Sequence, residues 1–210
     1  RTAATQRWIL LIERGMSLDA LPGVAAHLAQ FRALLEPRAI AAPAGPGRKP
    51  GPYRWHELQD PVGALVKSRA PRLLYQDIQT GPVCCLDRDG ALVPDTTVWM
   101  LPSQDLYLLA VLSSPLYGWY ARRRFPPALN GSVRPKAQYL RQLPVATPSP
   151  ELRAVIEALV AQRIALAAPG ADHDDDHAER ARVLDAAIGD AVLEAYELTA
   201  AERARIATPG

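Results

Sequence analysis

The chain opens on an apolar run, Trp8-Ile9-Leu10-Leu11-Ile12, closed by Arg14-Gly15, and an unbroken run of that length predicts a short buried strand. Pro22 suits a first helical turn, and Val24, Leu28, Phe31 and Leu35 recur at three- and four-residue spacing, which predicts an amphipathic helix stopped by Pro37. Pro, Gly and Ala dominate 37–52, a composition that reads as a linker and sets a boundary there. Short β segments come next. They are Arg72-Leu73-Leu74-Tyr75 with Ile78, Val83-Cys84-Cys85-Leu86, and Thr97-Val98-Trp99-Met100-Leu101, and Arg88-Asp89-Gly90 supplies a hairpin turn.

Beyond Asp105 the period changes to that of a helix, through Leu106, Leu109 and Leu112. Ser113-Ser114-Pro115 caps and restarts it, and the second helix should run to about Arg124 before Pro126-Pro127. Asn130-Gly131 turns the chain, and Lys136 to Gln142 reads as a helical turn ended by Pro144. Ser149-Pro150 opens a helix carrying Leu152, Ile156, Leu159 and Leu166. A second carries Ala181, Leu184, Ile188, Ala191 and Ala195, and Pro169-Gly170 between them makes the pair an antiparallel hairpin. Thr199 and Glu202 form a capping box for a last short helix. The expected class is α/β in the α+β sense: a small, mostly antiparallel sheet with flanking helices and a C-terminal helical hairpin. Four parts are expected: a lead-in strand and helix over 1–36, a linker over 37–52, a mixed α/β domain over 53–147 and the hairpin with its capping helix over 148–210.

Composition narrows the class. With 210 residues, 49% hydrophobic and 22% charged, and a mean hydropathy of −0.08, the chain reads as a globular protein, and no apolar run approaches the roughly 18 residues that span a bilayer. It begins at Arg1 without the features of a signal peptide, and Cys84 and Cys85 are adjacent, so a fragment from a reducing cytoplasm is expected. The formal charge is only +2, but its distribution is uneven. Leu106 to Pro150 holds no Asp or Glu while Arg122, Arg123, Arg124, Arg134, Lys136 and Arg141 make it +6, which leaves −4 for the remainder.

That acid-free segment interleaves its cations with Tyr117, Trp119, Tyr120, Phe125 and Tyr139. Guanidinium forks suit phosphates, and flat rings or bidentate donors suit bases, so the segment fits a nucleic acid; three arginines closing a helix would also complement its dipole, and aromatics at this spacing also fill cores. His173 and His177 have a zinc-like spacing, but they flank Asp174-Asp175-Asp176 in a solvated turn without further ligands nearby. His27 and His56 read as packed side chains rather than catalytic ones. A Gly-x-Ser-x-Gly elbow, a glycine-rich loop after the first apolar run and an Asn-Pro-Pro-Tyr tetrapeptide are all lacking, and Pro94-Asp95 is not succeeded by the rest of a nuclease metal motif. No catalytic or metal residue is therefore assigned.

The order of several short motifs is more specific than any one of them. Leu21-Pro22-Gly23-Val24, His27-Leu28 and Leu34-Leu35-Glu36-Pro37-Arg38 lead into Tyr53-Arg54-Trp55-His56-Glu57-Leu58 and then Pro71-Arg72-Leu73-Leu74-Tyr75-Gln76-Asp77-Ile78. Asp95 to Met100, Tyr107 to Leu116 and Arg134 to Pro144 continue the series, and Leu184 to Thr199 closes it. In this order they resemble the TaqI-like C-terminal specificity domain, the target-recognition part of adenine-specific DNA methyltransferases in type IIG and related restriction-modification enzymes. The resemblance implies a module that grips double-stranded DNA, while an upstream methyltransferase domain of the same polypeptide holds S-adenosylmethionine; no cofactor is expected in this chain. Arg122, Arg123, Arg124, Lys136 and Arg141 are expected on phosphates, with Asn130, Arg134 and Tyr139 nearer the base edges. The alternative is a protein-interaction module whose hairpin docks a partner, and truncation near Val145 is expected to separate the two.

Overall fold

A computed structural model describes residues 8–41, 44–167 and 175–207. Chain contacts divide it into two compact units that meet in sequence at Ser68 and Arg69.

The first unit holds α1 (Pro22–Ala29), α2 (Arg32–Leu35) and α3 (Ala64–Lys67), none of which buries a residue. Trp8 to Ile12 is not a strand. Trp8 is almost fully exposed and only Ile12 of the run is buried, its carbonyl accepting from Leu58 N at 2.8 Å. An apolar run forms a strand only where a partner edge exists to pair it, and none of the described residues offers one. The single helix expected after Pro22 breaks at Gln30–Phe31, and its apolar stripe is only half-buried at Val24, Leu28 and Leu35, with Phe31 exposed. The Pro/Gly segment 37–52 lies inside this unit. Arg48 fastens it by donating to the carbonyls of Leu35 (2.7 Å), Glu57 (2.8 Å), Trp55 (3.0 Å) and Arg54 (3.1 Å), with its guanidinium 4.6 Å from the Tyr53 ring.

The second unit carries the sheet: β1 (Arg72–Gln76), β2 (Cys84–Asp87) and β3 (Val98–Leu101), ordered β2-β1-β3 and wholly antiparallel. Leu73 pairs with Leu86 and Leu101, and Tyr75 with Cys84 and Trp99, so side-chain alternation turns these residues toward one face. The opposite parity places Arg72 across from Asp87, both buried, with Nε 3.4 Å from the carboxylate. Asp87 also accepts from Ala91 N and Leu92 N at 3.1 Å, and Arg72 donates to the Gly90 carbonyl, so this ion pair clasps the turn after β2. That turn does not make the expected hairpin, because β2 and β3 both pair with β1 instead of with each other. Gly90 has φ +58°, and a Cβ there would collide with the backbone of Arg69 and Ala70. Only glycine fits.

Helices α4 (Leu106–Ser113) and α5 (Pro115–Arg124) cover the sheet. Asp105 caps α4 through Tyr107 N (2.8 Å) and Leu108 N (3.1 Å), and Ser114 caps α5 through Tyr117 N (3.2 Å). After them come α6 (Ala137–Leu140), the paired α7 (Pro150–Leu166) and α8 (Asp175–Ala195), and α9 (Ala200–Ala207) with its Thr199–Glu202 capping box. Ile156, Val160, Ile188 and Val192 join Leu73, Tyr75, Val111 and Tyr117 in one continuous core. The hairpin is therefore part of the sheet's own hydrophobic interior. Truncation near Val145 would strip that interior and cannot serve to separate DNA binding from docking. A groove of about 410 Å³ runs between β2 and α4, α7 and α8, edged by the Arg163–Asp185 ion pair at 2.8 Å.

His173 and Asp174 lie outside the described residues; Asp175, Asp176 and His177 form the first turn of α8. Among the described residues no cluster of His, Cys, Asp or Glu is arranged to hold a metal, and no helix is long and apolar enough to cross a membrane.

Candidate nucleic-acid interface

The acid-free segment runs from α5 through a compact loop into α6. Its last helical turn, Arg122-Arg123-Arg124, is exposed at the C-terminal end of α5, where the helix dipole favours positive charge. Arg123 lies over the Trp119 ring at 4.2 Å and donates to the Trp119 carbonyl at 3.3 Å. Arg122, Arg124, Lys136 and Arg141 are exposed and form no ion pair among the described residues. Five cations thus stand outside any ion pair among the described residues, although Lys136 lies near enough to Asp77 to help hold its carboxyl down.

Phe125 turns inward and anchors the loop that begins there. Its ring meets Tyr117 at 6.0 Å, Tyr120 at 5.8 Å and Tyr139 at 6.4 Å. Three of the tyrosines expected to interleave with cations are accordingly packed residues. Tyr117 is buried and donates to Gln79 Oε1 at 3.2 Å, and Tyr120 donates to the Gln142 carbonyl at 3.1 Å. Tyr139, expected near the bases, is half-buried with its ring on Phe125 and the core. Aromatics at helical spacing filled the interior, and of the five expected to interleave with cations Trp119 alone lies against one.

The loop itself is a tight reversal. Pro127 and Val133 bridge, Ala128 N donates to the Ser132 carbonyl at 2.7 Å, and Leu129, Asn130 and Gly131 form a 3-10 turn at the tip. Asn130 takes φ +56° and Gly131 φ +70°, consecutive left-handed residues that asparagine and glycine tolerate. Leu129, which no charge or motif marks in the sequence, is 84% exposed at this tip. The loop does not hang free. Val133 and Gln79 exchange backbone hydrogen bonds of 2.8 and 3.0 Å, so it extends the sheet beyond the end of β1.

That junction holds the remaining site residue. Arg134 Nη2 donates to Asp77 Oδ2, while Trp99 Nε1 donates to Asp77 Oδ1 at 2.8 Å and Asp77 N donates to the Thr97 carbonyl at 2.8 Å. The indole, and then the guanidinium, hold the Asp77 carboxyl below the usual carboxylate range. Arg134 alone of the expected site cations is tied to an acid. Neither Asp77 nor Trp99 stands out as a site residue in sequence, because Arg134 lies 57 positions away from Asp77. The available signal was an aspartate one step past an otherwise apolar strand face.

The fold has a counterpart among solved structures. It is similar to a part of MmeI. MmeI is a type IIL restriction-modification enzyme whose structure was determined in complex with DNA; the match has a TM-score of 0.58 at 16% sequence identity and covers 92% of this chain and 27% of the MmeI chain. At that identity the likeness to MmeI establishes architecture, and the chain spans only about a quarter of the MmeI length. No protein-family model and no curated protein matches the sequence.

Proposed function

We propose that the chain is a double-stranded DNA target-recognition module of a restriction-modification methyltransferase, of the kind the TaqI-like specificity domain represents. The observation that carries this reading is the set of five exposed cations outside any ion pair among the described residues, Arg122, Arg123, Arg124, Lys136 and Arg141, presented beside a loop hydrogen-bonded to the end of the sheet. The fold shared with a segment of a DNA-bound restriction-modification enzyme supports it. Phosphate contacts would set register, and groups on the loop and at the end of the sheet would read base edges. On this proposal the methyl donor S-adenosylmethionine belongs to another domain of the polypeptide, which works on DNA in the cytoplasm.

Counterion release gives the test. Five phosphate contacts require log K to fall against log salt with a slope of about −4.5, at roughly −0.9 per contact. Titrating a fluorescent 30-base-pair duplex with the chain from 0.05 to 0.3 M salt reads the slope directly. A slope near zero, or no binding at the lowest salt, overturns the reading. Docking of a partner by the C-terminal hairpin finds less support, because the residues that give α7 and α8 their apolar faces lie in the core.

A further inference from the structure

Among the cations of the acid-free segment, Arg134 differs in its surroundings. Its charge is offset by Asp77, so it adds little to the attraction of a phosphate, yet most of its N–H donors remain. One Nη is taken by Asp77 Oδ2. Nε is buried without a partner, and the side chain is still 42% exposed, which leaves the outer Nη edge for an acceptor outside the protein. A neutral pair of acceptors suits such a group better than an anion does.

The mount beneath it is stiff. Asp77 follows the alternation of Leu73 and Tyr75 onto the helix-facing side of the sheet, and both its carboxylate oxygens are engaged, one by Trp99 and the other by Arg134. The backbone on either side of Arg134 is fixed as well: Arg134 N donates to the Pro126 carbonyl at 3.0 Å, and Pro135 is fully buried. An open pocket of about 150 Å³, lined by Gln76, Asp77, Ile78, Thr97 and Val98, adjoins the carboxylate. A guanidinium pinned at one nitrogen loses little further freedom when its remaining edge binds.

Resting on the DNA-binding reading, we infer that Arg134 reads the O6 and N7 acceptors of a guanine in the major groove, with Asp77 and Trp99 as its positioning residues. In the major groove guanine offers two adjacent acceptors on one base, matched to an arginine fork. The unpaired cations Arg122, Arg124, Lys136 and Arg141 supply the sequence-independent grip that Arg134 does not.

The test is selection of bound duplexes by the full chain from a pool with a 12-base-pair randomised core, then affinity measurements on the winning duplex and on random duplex. The wild type is expected to select a sequence with at least one required guanine. Arg134→Lys keeps the charge and loses the fork, so it should lower preference at that one position by roughly 5- to 150-fold while affinity for random duplex holds. Asp77→Asn and Trp99→Phe should relax the same position, with random-duplex affinity unchanged or raised for Asp77→Asn, because a negative charge is removed. A purely structural role would instead weaken binding to all duplexes alike and lower the melting temperature of Trp99→Phe without touching the preference. If Arg134→Lys leaves every position as in the wild type, or changes all equally, the inference fails while DNA recognition stands. If no duplex is bound, both fail.

Discussion

Replacing Arg122 and Arg124 together by alanine isolates the electrostatic grip from the fold. Both side chains project from the last turn of α5, are exposed, and make no ion pair among the described residues, so their removal empties no cavity and strands no buried charge. If each meets one phosphate, the salt slope should change from about −4.5 to about −2.7, at roughly 0.9 per contact. The same coefficient fixes how the loss varies with conditions: two contacts are worth about 60-fold in affinity at 0.1 M salt but only about 9-fold at 0.3 M. Circular dichroism melts should shift by no more than about 4 °C, the cost of weakening favourable charge at a helix end. Fluorescence anisotropy at the two salt concentrations, on the same duplex, reads the prediction. An equal fold-loss at both concentrations, or an unchanged slope, would refute the assignment of these arginines to phosphate.

Three further outcomes rest on packing and charge. Arg72→Met leaves Asp87 buried without its cation and should cost about 3 to 5 kcal/mol of stability in urea titration, whereas a neutral result would show that the clasp around Gly90 is dispensable. Burial pushes the Cys84 thiol up to about 12 and raises that of Cys85, so at pH 8 both should react with a disulfide reagent far more slowly than in urea; equal rates would contradict the burial. The Asp77 carboxyl titrates lower in the folded chain than its ordinary 3.8, so its contribution to stability is complete above that value and is lost as pH falls below it. Melting temperature should therefore drop more steeply below pH 4 in the wild type than in Asp77→Asn, and parallel curves would contradict the pairing.

Local signals made the helical half of the protein legible. Asp105, Ser114, Ser149 and Thr199 are caps that act within three residues, and each begins a helix where the sequence says it should. The three strands were readable in position, since Leu73, Tyr75, Cys84 and Leu101 alternate against a single covering layer, but their order was not: the turn at Arg88-Asp89-Gly90 joins β2 and β3 without pairing them, and both flank β1. Trp8 to Ile12 was not, because strand formation depends on a partner edge that hydrophobicity does not report. The candidate site divides the same way. An absence of acids between Leu106 and Pro150 marked the cations, but the fate of Arg134 hinged on Asp77 and Trp99, of which Asp77 lies 57 positions away and is brought to it by strand pairing. Tyr139 carried the same spacing signal whether it faced solvent or Phe125, and packing decided for Phe125.

The continuity of the interior from Leu73 to Ala195 bears on where this chain could be recombined with another of the same fold. A recombinant swap that cut at the close of the basic loop would carry that loop over yet leave Val111 and Tyr117 facing the wrong helices, and it should yield insoluble protein. Crossovers placed near Ser68, carrying the sequence through α9, keep the whole oily interior of one parent; exchanging a few side chains at the mouth of the sheet within that shell then disturbs none of it.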